Sequence, residues 1–194
     1  MHKDISSLLH ESPLFVFAMP EEANELFEGS ELLFTGLGKV NAAYRLTKYL
    51  GQNRPGIIIN LGSAGSAVFQ QGEIVCCTKF IQRDMDVSAL GFEKYKTPFS
   101  PEEPVLSYGI AVKELPEGTC GSGDSFDIMH GDHPYNVVDM EAYALALVAK
   151  SENIPFLCLK HITDGADEAA AANWAAELAQ TPFKLKEIID RLMG

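Results

Sequence analysis

The sequence is short of positive charge. Fifteen Lys and Arg stand against 27 Asp and Glu, a formal net charge of −12. So acidic a chain lacks the basic surface that nucleic acid or an anionic membrane requires, which excludes both as general partners. A small ligand carrying a base or a sugar is compatible with it. Cysteine is scarce too. Cys76, Cys77, Cys120 and Cys158 show no CxxC spacing, and three of them fall in apolar, strand-like segments. That excludes a zinc site of ordinary spacing and reads as reduced, partly buried thiols in a cytosolic protein. No apolar run approaches the ~20 residues of a membrane span. The stretch MHKDISSLLHESPLFVFAMP has no basic segment followed by a long apolar one, so no signal peptide is expected and the location is read as cytoplasmic. Gly36-Leu37-Gly38 is not followed by the spacing of a dinucleotide fingerprint or a P-loop, so nucleoside triphosphate binding is unsupported. Internal repeats and low-complexity stretches are missing.

What is present fits one domain over residues 1–194, with 46% hydrophobic and 22% charged residues. Apolar runs alternate with helix-patterned stretches. Strands are predicted at about 14–19, 31–35, 56–61, 72–82, 119–126, 136–138 and 155–162. The run GIIINL at 56–61 has the β-branched continuity of a central parallel strand buried on both faces. Helices are predicted over about 40–50 and 140–152. An Ala-rich C-terminal helical region follows, interrupted near Pro182. Pro20 suits a first helical turn, and GSAG at 62–65, taken alone, reads as a turn. The pattern is α/β with largely parallel strands.

Polar clusters sit where strands run out: AMPEE at 18–22, GSAG at 62–65, RDMD at 83–86, SGDSF at 122–126, DME at 139–141 and TDGAD at 163–167. Carboxyl ends of parallel strands converge on one sheet edge, the usual ligand site of such folds. Singly, each cluster is weak, because an Asp after a strand is more often a cap or turn residue. HGDH at 130–133 offers two His and an Asp but no third well-spaced ligand, so it reads as a polar surface loop rather than a metal site. His161 reads as structural or pocket-lining.

The order of the clusters says more than any one of them. AMPEEA, GLGKVNAA, INLGSAG, RDMDVSALGF, SGDSF, VVDMEAYALA and ITDGAD, in register from about Leu14 to Asp167, resemble the nucleoside phosphorylase superfamily. Within it they are most similar to the methylthioadenosine/S-adenosylhomocysteine nucleosidases. The resemblance implies a three-layer α/β/α fold around a mixed, largely parallel sheet. It implies hydrolysis of the N-glycosidic bond of a purine nucleoside, with no cofactor and no metal, in a homodimer.

By the same resemblance Glu22 holds the attacking water and Asp164, with a raised pKa, protonates the purine. Met140 and Glu141 bind the ribose, and Ser63 and Lys160 lie near water and sugar. Ala64, Gly65, Phe126 and Thr163 bind the purine. Met19, Val87, Leu90, Phe92 and Trp174 are candidates for the pocket around the 5′ group. Phosphorylases of the superfamily generally carry a Gly-Asp-Pro phosphate turn after the first strand, where this chain has Ala18-Met-Pro-Glu-Glu22. An anion there repels phosphate and can take a proton from water, which favours hydrolysis over phosphorolysis. Two departures stand out. Lys160 replaces the family's Arg four residues before the acid, keeping charge but losing the planar fork. The stretches 92–120 and 126–136 are shorter than the segments that, in the family, help close the pocket and form the dimer contact. A phosphorolytic purine nucleoside phosphorylase, a futalosine-type hydrolase and a nucleoside-binding protein without turnover are the other readings.

Overall fold

The computed structural model describes residues 5–125, 132–165 and 177–194. In chain order these form α1 (Ile5–Leu9), β1 (Pro13–Phe17), β2 (Glu31–Phe34), α2 (Lys39–Leu50), β3 (Ile57–Gly65), β4 (Ile74–Gln82), β5 (Leu106–Ser107), β6 (Glu117–Ser122), β7 (Val137–Asp139), α3 (Ala142–Ser151), β8 (Phe156–Asp164) and α4 (Thr181–Met193). Short 3-10 turns cover Pro20–Glu22, Asn24–Phe27 and Ser88–Leu90.

All eight strands belong to one sheet. Pairings β1·β2, β1·β3, β3·β8, β4·β6 and β6·β7 are parallel, and β3·β7, β4·β5 and β4·β8 are antiparallel. The sheet is therefore mixed and largely parallel, as expected. Its pairings also close on themselves: β3 bonds β8, β8 bonds β4, β4 bonds β6, β6 bonds β7, and β7 returns to β3 through Gly65 and Val138. A flat sheet between two helical layers does not describe this ring.

The period of two along β1 explains the packing. Leu14 and Val16 face one side, with Ala42 and Leu46 of α2 and the alanines of α3. Phe15 and Phe17 face the other, with Leu185, Ile188 and Ile189 of α4 and Leu9 of α1. Every residue of β8 is buried, and so is all of β3 but half-buried Ser63; both strands start apolar, at Ile57–Ile59 and Phe156–Leu159, and turn polar toward the ends that reach the site. Small Ala142, Ala146 and Ala149 let α3 lie close to its neighbours, and Ala and Leu favour its helix intrinsically.

One local reading needs correction. GSAG is not a turn: Gly62 to Gly65 continue β3. The break expected near Pro182 is present: helical residues 177–178 give way to a turn at 179–180, and Pro182 sits in the first turn of α4, where its missing N–H costs nothing. Among the described residues no helix is long and apolar enough to cross a membrane.

Candidate active site

A cleft enclosing about 830 Å³ of space, open to solvent, lies where the strands run out. The chain past β1 supplies Ala18, Met19 and Glu22, the end of β3 supplies Ser63, Ala64 and Gly65, and β8 supplies Asp164. Val138, Asp139, Met140 and Glu141 come from β7 and the start of α3. Leu37, Arg83 and Ser125 come from the loops after β2, β4 and β6. Three predicted carboxylates thus meet in one apolar-walled space.

Glu22 is buried, 3% exposed, at the end of the turn that Pro20 opens. Its Oε2 accepts the backbone N–H groups of Ala18 (3.1 Å) and Met19 (3.2 Å). Its Oε1 accepts the N–H and the hydroxyl of Ser63, at 2.8 and 2.9 Å. Four donors therefore fix this carboxylate against β3. A Cβ on Gly62 would stand 3.0 Å from Oε1, so the strand carries glycine where the acid presses on it.

Asp164 ends β8 and is 4% exposed. The β3·β8 register slips between Ala64 and Gly65, with Ile162 opposite Ala64 and Asp164 opposite Gly65. The extra residue, Thr163, makes a bulge that re-aims the side chains at the strand end. Its buried hydroxyl reaches Asp164 Oδ2 (3.0 Å) and the Ala64 carbonyl (3.3 Å). Thr163 therefore supports the acid from behind and is not among the residues lining the cleft.

Glu141 precedes α3 and accepts the Gly38 N–H at 2.8 Å. Burial, and then the neighbouring Asp139, push its carboxyl up to about 8, against the pull of Lys160. Asp139 behaves oppositely. Burial raises it, but the Lys160 ammonium, 2.8 Å away, holds it below the ordinary carboxylate range. The Ser122 hydroxyl and the Ala142 N–H, the latter at 2.9 Å, also donate to Asp139, which thereby caps α3. Lys160 does not line the cleft wall. It is 2% exposed and points to Asp139, which keeps its ammonium charged against the cost of burial. The sequence-based placement beside water and sugar gives way to a place one layer behind Glu141.

The other predicted residues divide. Met19, Ser63, Ala64, Gly65 and Met140 line the cleft. Val87, Leu90 and Phe92 do not: Leu90 is 76% exposed, and Phe92 packs edge-on against Phe99 with ring centroids 5.7 Å apart. Phe126 and Trp174 lie outside the described residues, as does His130. His133 stacks on Tyr135, and His161 is buried with Nδ1 2.9 Å from the Thr181 hydroxyl, tying β8 to α4. Among the described residues no group of three or more metal-ligating side chains occurs. The sequence reading missed Ala18, Leu37, Arg83, Ser125, Val138 and Asp139, although all but Leu37 fall in or beside the strand-end clusters. Arg83 turns its guanidinium onto the carbonyl and hydroxyl of Ser125, so one wall of an otherwise acidic cleft carries a cation.

Fold and site together define an α/β protein with buried carboxylates gathered at its strand ends. The phosphorylase superfamily model matches residues 31–188. A 5′-methylthioadenosine/S-adenosylhomocysteine nucleosidase of Haemophilus influenzae (strain PittEE) is 35% identical over 83% of this chain and 81% of its own. Among solved structures, a variant of the Helicobacter pylori nucleosidase with 5′-methylthioadenosine in its active site superposes with a TM-score of 0.84. It is 20% identical, over 94% of this chain and 97% of that one. The native futalosine hydrolase of Helicobacter pylori strain 26695 gives 0.81, at 20% identity over 93% and 96%. The chain belongs to the phosphorylase superfamily and, within it, to the 5′-methylthioadenosine/S-adenosylhomocysteine nucleosidase family.

Proposed function

We propose that this protein hydrolyses the N-glycosidic bond of a 5′-substituted adenosine of the methylthioadenosine or S-adenosylhomocysteine type, releasing adenine. The observation that carries this reading is the meeting of Glu22, Glu141 and Asp164, all buried, in one cleft, with Glu22 locked onto Ser63. In the reaction the C1′–N9 bond breaks and its electron pair passes to the purine. Asp164 gives a proton to N7, which makes the base a better leaving group. Glu141 accepts hydrogen bonds from the ribose hydroxyls, Met140 packs on the sugar, and nearby negative charge stabilises the oxocarbenium-like sugar. A water held by Glu22 attacks C1′ and loses its proton to that carboxylate.

Three further readings belong with this one. The fold is a three-layer α/β/α arrangement whose middle layer curls into the ring. The protein is cytoplasmic. It works as a homodimer, and the exposed apolar side chains of Leu90, Phe92 and Phe99 support that state.

Adenine or hypoxanthine release over a nucleoside panel, with and without phosphate, tests the reading. Turnover of 5′-methylthioadenosine without phosphate is expected. Glu22→Gln and Asp164→Asn should each lower the rate by about 10²- to 10⁴-fold, the range of one positioned acid or base. A strict phosphate requirement, or full activity in either variant, refutes it. Preference for futalosine would move the substrate but keep the chemistry.

A further inference from the structure

Lys39, in GLGKVN, is the first residue of α2 and is 9% exposed, yet it is not among the residues that line the cleft. Its ammonium lies 2.7 Å from Asp84 Oδ2 and 3.0 Å from Asp124 Oδ2. Its backbone N–H donates to Asp124 Oδ1 at 2.8 Å, and the Asp124 N–H donates to Asp84 Oδ2 at 2.9 Å. One buried cation therefore joins three loops, those after β2, β4 and β6. Each places a neighbour of this cluster in the cleft wall: Leu37, Arg83 and Ser125.

The cluster also reaches the sugar carboxylate. Gly38, beside Lys39, takes φ +91°, which glycine tolerates, and its N–H is the donor to Glu141 Oε1 at 2.8 Å. A Cβ on Gly38 would stand 3.1 Å from Asp124 Oδ1, so this amide and Asp124 are in tight register. Without the cation, two neighbouring carboxylates would repel each other and the loops would part.

We propose that Lys39 is a positioning residue for sugar recognition. It clamps the 83–86 and 122–125 loops onto the start of α2 and so aims the Gly38 amide at Glu141. The proposal rests on the reading that Glu141 receives the ribose hydroxyls. An ion pair that only stabilises the loops would weaken every ligand alike, whereas a positioning role acts through those hydroxyls.

Calorimetry in the Asp164→Asn background, where turnover is suppressed, separates the two. The probes are 5′-methylthioadenosine and its 2′,3′-dideoxy counterpart. Lys39→Met should raise Kd for the ribonucleoside by about tenfold or more, the weight of one charge-assisted hydrogen bond. It should raise Kd for the dideoxy compound by less than about threefold, within the scatter of contacts left untouched. Asp124→Asn, nearly isosteric, should follow the same pattern more weakly, and serves if Lys39→Met does not fold. Equal losses on both nucleosides, or no loss on either, overturn the proposal. Base release by the wild-type chain is measured separately. Its absence, alongside the hydroxyl-selective loss, would refute hydrolysis while supporting the clamp.

Discussion

Glu141 and Asp139, two residues apart, are pushed in opposite directions by what surrounds them. Asp139 has an ammonium at 2.8 Å, whereas Glu141 has a backbone amide, burial and another carboxylate. This has a consequence for stability. A carboxyl near 4.5 when unfolded and at about 8 when folded carries a proton in the folded chain across the window between. The folded state binds more protons there, so the contribution of Glu141 to stability falls as pH rises through that window. Glu141→Gln escapes the loss. Its stability relative to the wild type should grow between about pH 5 and about pH 8, by at most about 1.4 kcal/mol per pH unit. Urea melts at the two ends measure it; an unchanged gap would show that Glu141 is ionised throughout. Glu22 presents the contrasting case of a carboxylate fixed by four dipoles, with Gly62 giving it room.

Between elements, the Lys160–Asp139 pair joins the end of β8 to β7 and the first turn of α3. Removing one partner from such a pair leaves a buried, uncompensated charge and costs about 3–5 kcal/mol. Lys160→Met alone should therefore destabilise the chain more than Lys160→Met with Asp139→Asn. The Asn keeps an oxygen for the Ala142 N–H and can turn its NH2 onto the Ser122 oxygen, without the orphaned charge. Chemical denaturation of both variants gives the order, and the reverse order would mean that the pair is not what holds this corner. The same elements show how far the sequence can be read. β1, β2, α2, β4 and α3 were legible within a few residues, because short apolar runs bounded by polar or turn residues and an Ala–Leu helix carry strong local signals. GSAG was not, because Gly and Ser favour turns intrinsically. Here small residues are needed inside a strand, where Glu22 packs against it. ISSLL in α1 and the two residues of β5 are too short to show a period. Among the site residues, the carboxylates stood out only through the order of their motifs. Lys160 was mislocated, because a charge four residues before an acid gives no indication of which carboxylate it will meet.

For the molecule as a whole, the notable surface is the segment from Ser88 to Phe99. Leu90 is 76% and Phe99 96% exposed, with Phe92 packed on Phe99. Apolar area of this kind gains roughly 25 cal/mol per Å² when covered, which favours the proposed homodimer. Sedimentation velocity over a micromolar concentration range should show a dimer, and Leu90→Asp with Phe99→Asp should shift it toward monomer. A wild-type chain that stays monomeric throughout would remove the dimer from the reading.

The ring of strands bears on how the chain reaches its native state. β8 lies between β3 and β4, both made about a hundred residues earlier, and β7 closes the circuit back to β3. Such non-local pairings carry a loop-closure cost before any contact compensates it, which slows folding. During synthesis β3 and β4 wait with open edges, and the pairing that sets Asp164 against Gly65 forms only after the last of these strands has emerged. The proposed site is thus completed late in folding, and an N-terminal fragment ending before β8 would hold Glu22 and Glu141 with no Asp164 beside them.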